Sequence, residues 1–284
     1  MRLYKLKKKD NSVFITMKQP FSEDGIIDDE YISKCKKFAD KKANNEETRH
    51  REHRNGGTLI RSTNQIYQDA LEGKLAEYAI YDYMKKNGII LSEPDMKIYT
   101  KGKWDDSDFE LDDLKISIKS TKKNGQLLLM EKKDFSEDGT YLPNKKSYDL
   151  YIVVRIDGNK YNIAGWIDLD DFKEIIRRQF VIEKGTKLNG HTIIDADNYY
   201  VQMKDMRDKI ELIKFLKKKQ EEKQEKYIGN TVKESVQNLQ QCMSELNYDR
   251  YTLDKICEAI LMNKDENNNI SVYEAIRIIK NGGF

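Results

Sequence analysis

The stretch DDSDFELDDLKISIKSTKKNG, residues 105–125, decides how this chain is read. Two runs of alternating polar and apolar residues flank Asp112-Asp113, the period-two pattern of a β-hairpin. With the turn at those two aspartates, Asp108 lies opposite Ser117 and Asp106 opposite Lys119. Side chains alternate along a strand, so Phe109, Leu111, Leu114, Ile116 and Ile118 share a core face. Asp108, Ser117 and Lys119 gather on the other, within a few ångströms of one another. A half-exposed hairpin with a cross-strand ion pair, worth under about 1 kcal/mol, is the plain reading. Two neighbouring features weigh against it. The apolar runs DLYIVVRI (149–156) and KYNIAGWI (160–167) continue the sheet, which makes the hairpin central, where a polar face needs a reason. The preceding helix carries GKLAEYA (73–79), with Glu77 one turn after Gly73 on a half-apolar stripe. Helix Glu, strand Asp and strand Lys are then placed to converge on one divalent cation.

Outward from the hairpin, the pattern predicts an α/β protein. A strand is expected in SVFITM (12–17) and a helix in DDEYISKCKKFADKK (28–42). A long helix over Thr63–Lys86 follows from Ile66, Ala70, Leu71, Leu75, Ala79 and Tyr83, with Asn87-Gly88 to close it. Strands are expected at KIYT (97–100), QLLLM (126–130) and the two apolar runs, which Asp157-Gly158-Asn159 joins as a hairpin. DLYIVVRI is almost continuously apolar and is expected to be buried on both faces. DLDDFKEIIRR (168–178) reads as a helix with an acidic first turn and a basic last one. A loop-rich stretch to Tyr200 leads to a further helix, MKDMRDKIELIKFLKKK (203–219). After the charged run KKKQEEKQEK (217–226), residues 227–284 read as a small all-helical domain.

Composition bounds the function. The 284 residues are 38% apolar and 35% charged, with a net charge of +2, so nucleic-acid binding needs local rather than global positive charge. No apolar run approaches the length of a membrane span, and the basic start MRLYKLKKKD lacks the apolar stretch of a signal peptide. Cys35, Cys242 and Cys257 are far apart and odd in number, which argues against a disulfide framework or a thiolate zinc site. A cytoplasmic location is expected.

The order G-K-x-x-E on a helix (73–77), D-F-x-L (108–111) and I-x-I-K-S-T (116–121) resembles the PD-(D/E)XK nuclease superfamily, in the style of type II restriction endonucleases, over roughly residues 55–215. The resemblance implies a restriction-endonuclease-like mixed central sheet flanked by helices in a domain over 1–216. Residues 1–62 would be a DNA-contacting segment, and 227–284 a helical domain for oligomerisation or DNA contact. It makes Asp108 the metal-binding aspartate, Lys119 the motif lysine and Glu77 the helix glutamate that many members add. Ser117 stands where the second acid is usual, and Ser107 replaces the proline. A hydroxyl is a poor ligand for a hard cation beside a carboxylate, so an acid must be recruited. Glu77 is the first choice and Glu131 the second. The implied activity is Mg²⁺-dependent hydrolysis of DNA, by a homodimer cutting duplex at a short sequence. A structure-specific nuclease of the junction-resolvase kind is the alternative, and Ser117 leaves a catalytically inactive nucleic-acid-binding relative open. Carboxylate-held Mg²⁺ stabilises the anionic transition state and lowers the pKa of bound water, while a desolvated lysine positions that water and neutralises charge.

Two further motifs stand outside this set. RHREHRNGG (49–57) places Arg49, Arg51 and Arg54 beside His50 and His53, a candidate phosphate-contacting loop together with Lys122 and Lys123. Its H-x-x-H spacing also admits a metal pair, though zinc pairs on a helix are usually spaced i, i+4 and no thiolates stand near. NKDENNNISVYE (263–274) matches the ligand positions of a calcium loop but brings only two carboxylates and no aspartate at the first position, and reads better as a polar helix–helix turn with Ser271 as N-cap.

Overall fold

The computed structural model describes residues 1–45, 60–99 and 107–223. Asp106, the 49–57 loop with Arg49, His50, Arg51, His53 and Arg54, the 263–274 loop and the region 227–284 lie outside them. Residues Met1–Leu216 form one compact unit of mixed α/β structure. Its elements begin with β1 (Lys7–Lys9), β2 (Ser12–Phe14), β3 (Gly25–Ile26), α1 (Asp29–Asn44) and α2 (Thr63–Lys86). The hairpin β4 (Phe109–Leu111) and β5 (Leu114–Lys122) comes next, then β6 (Leu127–Glu131), β7 (Leu150–Asp157), β8 (Lys160–Asp168) and α3 (Leu169–Arg177). Four short strands close the series, β9 (Val181–Ile182), β10 (Lys187–Leu188), β11 (Thr192–Ile193) and β12 (Asn198–Gln202), before helical backbone over 209–223, α4. No described helix is long and apolar enough to cross a membrane.

α2 has the bounds expected because its ends are written in side chains. The Ser62 hydroxyl accepts from the Gln65 N–H (3.2 Å), and the Gln65 side chain accepts from the Ser62 N–H (2.8 Å), a reciprocal pair that satisfies two otherwise orphan donors. Asn87 ends the helix and Gly88 takes the left-handed backbone after it, φ +76°.

The central sheet has the order β3-β8-β7-β5-β4, so the hairpin is not central as expected: β4 is the edge strand, because the two apolar runs add to the sheet on the β5 side alone. β5 pairs antiparallel with β4 in the register read from the sequence, Phe109 opposite Ile116 and Leu111 opposite Leu114. It pairs parallel with β7, which is antiparallel to β8. β7 is buried from Leu150 to Ile156, as its apolar run implies. One face of the sheet carries Phe109, Ile116, Ile118, Ile152 and Trp166, packed with Leu75, Tyr78, Ala79 and Ile80 of α2, Cys35 of α1, and Leu212 and Leu216 of α4. The other face carries Tyr151, Val153, Ala164 and Ile167, packed with Phe172 of α3 and with a second sheet, β6-β12-β9, through Leu128, Met130 and Tyr199.

Three segments differ from expectation. Residues 97–99 of KIYT are not a strand. The stretch read as loop before Tyr200 contains β9 to β12, of which β12 also pairs with β6 and β10 with β2, both far away in sequence. Three of the four are two residues long, too short to show a period, and β12 is buried at every residue, so it shows no alternation. The last helix starts six residues late, at 209, because the Asp208 carboxylate accepts from the Ile210 and Glu211 N–H groups (2.8 and 2.9 Å) and caps it there.

The N-terminal 24 residues are clasped across the body. Tyr4 N–H donates to Asp205 (3.0 Å), Leu6 N–H to the Tyr200 hydroxyl (3.0 Å), and Gln19 N–H to the Gln126 side chain (2.8 Å). Gln126, at the start of the strand after the hairpin, is thereby a satisfied structural residue.

β7 and β8 lose register between Val153 and Val154, where Ala164 is the extra residue of a bulge. Gly165 beside it has φ +155°, and a Cβ there would fall 2.6 Å from the Met206 Cβ and 3.0 Å from the Arg207 carbonyl oxygen. The Trp166 and Arg207 backbones exchange hydrogen bonds at this close approach (3.0 and 3.2 Å). Gly165→Ala is therefore expected to cost about 2–4 kcal/mol through overpacking and backbone strain. Thermal unfolding measures it, and a loss under about 0.5 kcal/mol would show that the 206–207 backbone yields.

Candidate functional site

The hairpin opens into a fork at Asp108. The Asp108 N–H still donates to the Ile116 carbonyl (3.1 Å), but its carboxylate then takes the next place in the ladder. Oδ2 accepts from the Ile118 N–H (2.6 Å) and from the Ser117 hydroxyl (3.3 Å). A strand N–H lies in the plane of its sheet, so the carboxylate sits in that plane, at the mouth of the fork. Oδ1 accepts no hydrogen bond from the described residues. Asp112 makes the turn behind it, with φ +58°, a conformation that aspartate tolerates better than most residues. Ser117 is buried and spends its hydroxyl proton on Asp108, so it orients the carboxylate.

Lys119 lies two residues beyond Ser117 on the same strand face. The parallel register sets Ser117 beside Tyr151 and Lys119 beside Val153, on the face away from α2. Lys119 is half-buried. Glu77 comes from the opposite face. It is 7% exposed, and the Lys74 ammonium stands 2.7 Å from its Oε2. Asp108 itself is half-buried. Lys119 and Glu77 therefore flank the sheet around the fork and do not share the single polar face expected from the sequence.

The charge around Glu77 is read best from Lys42 on α1. Burial, the largest cause, holds the Lys42 amine below the usual lysine range. Lys74 and Arg61 push it down further, while Glu77 and Asp108 pull it back up. Both carboxylates thus act on one ammonium. The Lys42 and Lys74 ammonium groups lie 5.6 and 5.1 Å from the Phe38 ring centroid. Burial together with Glu77 also pushes the neighbouring Cys35 thiol up to about 12, which keeps it an inert thiol. Lys42 was missed in the sequence, where α1 reads as a lysine-rich solvated helix. The signal was there: Lys42 continues the buried Cys35, Phe38 and Ala39 stripe at helical spacing.

Glu131 lies elsewhere. It is at the end of β6 in the second sheet, opposite Asn198, buried and 2.5 Å from the Lys133 ammonium. Lys122 ends β5 exposed, and Lys123 is paired with Asp157 (2.7 Å). Among the described residues no three acidic, histidine or cysteine side chains surround one point as metal ligands. Mg²⁺ asks for less, since one or two carboxylates and water complete its octahedron. The outward Asp108 Oδ1 and the Glu77 carboxylate are hard oxygen donors of the right kind. Of the cations nearby, Lys74 is paired with Glu77 (2.7 Å) and Arg61 with Asp69 (3.1 Å), while Lys42 feels both Glu77 and Asp108.

These placements separate the roles of Ser117 and Glu77. Ser117→Ala removes one hydrogen bond to Asp108, about 1 kcal/mol and hence roughly tenfold in rate. Glu77→Ala removes a carboxylate worth several kcal/mol if it holds metal. Single-turnover cleavage at saturating Mg²⁺ is expected to show a slowed Ser117→Ala enzyme and an inert Glu77→Ala enzyme. Glu131→Ala is expected to be mild, and an active Glu77→Ala enzyme would remove α2 from the site.

Comparison of the chain with protein-family models, with curated proteins and with solved structures finds no match.

Proposed function

We propose that this protein is a Mg²⁺-dependent endonuclease that hydrolyses phosphodiester bonds of duplex DNA, in the manner of a type II restriction enzyme. The observation that carries the reading is the Asp108 fork: a carboxylate fixed by a strand N–H and a serine, with one oxygen outward and a half-buried lysine two residues along the strand. Asp108 immediately precedes β4, the edge strand of the sheet, so the fork opens at an unpaired edge that a substrate can approach. Asp108 and Glu77 would hold the metal, which when bound supplies charge neutralisation and a more acidic water. Lys119 would orient the attacking water and balance charge on the phosphate. The exposed Lys122 at the end of β5 would add positive charge for a polyanion. A double-strand cut needs two such sites, which a homodimer provides.

The test is incubation of the purified chain with supercoiled plasmid in Mg²⁺ and, in parallel, in EDTA. Discrete linear fragments in Mg²⁺ alone are expected. Cleavage restricted to synthetic four-way junctions would favour the structure-specific alternative. Binding without cleavage under any divalent metal would make the chain an inactive relative.

A further inference from the structure

Beside the candidate site, α1 borders a groove of about 430 Å³. Lys34, Lys37 and Lys41 form its rim, and Phe38, Pro94 and Met96 are among its apolar lining. At about 100° per residue the three lysines and Phe38 fall within one side of α1, and the lysines span about 10 Å along its axis. Lys34 is committed to Glu30 and Glu93, each at 2.9 Å. Lys37 and Lys41 are exposed and have no ion-pair partner among the described residues. The groove and the site share α1 and the Phe38 ring. Lys42 follows Lys41, and Phe38, which lines the groove, is the ring against which the Lys42 and Lys74 ammonium groups lie.

We propose that this groove binds a single-stranded stretch of nucleic acid leading to or from the Asp108 fork, an inference that rests on the nucleic-acid reading of that site. Cations alone would suit the outside of a duplex, whose bases are turned inward. Here a cationic rim overlies an apolar lining in which Met96 is half-exposed and Phe38 and Pro94 are buried, and the occupant that satisfies both is an unpaired strand: phosphates on the lysines and a base face on Met96. Glu93 at the rim is already held by Lys34 and by the Tyr78 hydroxyl (2.9 Å), so its charge is compensated and does not repel the strand.

The experiment measures binding of the full chain, in EDTA, to a labelled oligothymidylate and to a blunt duplex by fluorescence anisotropy across a salt series. The Lys37→Gln/Lys41→Gln variant is expected to bind the single strand about tenfold more weakly, with the log–log salt slope reduced by about 1.4, two phosphate contacts' worth. Its duplex affinity is expected to change by less than about twofold, since duplex contacts lie elsewhere. Met96→Ser is expected to weaken single-strand binding severalfold at an unchanged slope, because it removes stacking and no charge. Equal losses for single strand and duplex would overturn the inference, as would unchanged single-strand affinity. Preferential capture of an acidic amphipathic peptide by the same lysines would overturn it too. A wild-type chain that cuts plasmid but ignores oligothymidylate sinks the groove alone. One that binds oligothymidylate through Lys37 and Lys41 but cuts nothing supports the groove and sinks the nuclease.

Discussion

Asp108→Ala is expected to abolish cleavage while the chain remains folded. The variant removes the outward oxygen proposed to hold the metal, a loss of several kcal/mol in transition-state stabilisation and roughly a thousandfold or more in rate. It also strips the Ile118 N–H and the Ser117 hydroxyl of their acceptor. Asp108 is only half-buried, so water can replace the carboxylate at the fork, and the structural cost stays within about 1–3 kcal/mol, below the stability of an ordinary domain. Asp108→Asn sharpens the comparison. It retains an acceptor for both donors but not the charge, and is expected to melt near the wild type and cut nothing. Lys119→Ala should be equally inert by a different route, with metal affinity retained in a calorimetric titration that Asp108→Ala fails. Single-turnover assays with thermal unfolding on the same preparations decide the matter. Cleavage by either Asp108 variant at the wild-type rate would move the chemistry away from the fork.

Arg155→Met is expected to be the most damaging substitution for stability. Arg155 lies on the fully buried strand β7 and is itself fully buried. Its guanidinium donates to Asn162 Oδ1 (2.9 and 2.5 Å), to the Gln19 carbonyl (2.8 Å) and to the Pro20 carbonyl (2.8 Å). Asn162 in turn donates to the Ser22 carbonyl (2.6 Å) and to Asp24, whose carboxylate also accepts from the Ile163 N–H and pairs with Lys209. Burial holds the Arg155 pKa below its usual value, with Asp24 pulling the other way. Methionine fills much of the volume but takes the donors from the Pro20 carbonyl and Asn162 Oδ1, while the Gln19 carbonyl keeps only the Gln126 amide (3.0 Å). The expected loss is roughly 3–5 kcal/mol, a large share of a marginal total. Urea denaturation measures it, and amide exchange should show residues 19–24 losing protection first. A loss under about 1 kcal/mol would mean that water reaches those carbonyls in the native state.

How much of this was legible depends on whether the information was local. The β4–β5 register followed from alternation around Asp112-Asp113, and α2 from its apolar stripe and closing Asn87-Gly88. β9 to β11 were not legible because two residues show no period, and β12 because all five of its residues are buried and it pairs with the distant β6. At the site, the pairing of Asp108 with Ser117 was readable from register alone. That Glu77 and Lys119 flank the sheet on opposite faces was not, because a helix's choice of face is a tertiary decision. Lys42 was hidden by composition: in a helix holding five lysines, one on the inward stripe looks like the rest.

The clasp that fastens residues 4–24 has a consequence during synthesis. Its partners, Gln126, Arg155, Asn162, Tyr200, Asp205 and Lys209, are all made later than the segment itself. At about 5–20 residues per second, residue 24 waits roughly 10–40 s on the ribosome before residue 209 exists to pair with Asp24. The earlier-made segment is thus among the last to find its place. Until it does, the Arg155 guanidinium has Asn162 Oδ1 alone and lacks the Gln19 and Pro20 carbonyls that complete its set of acceptors.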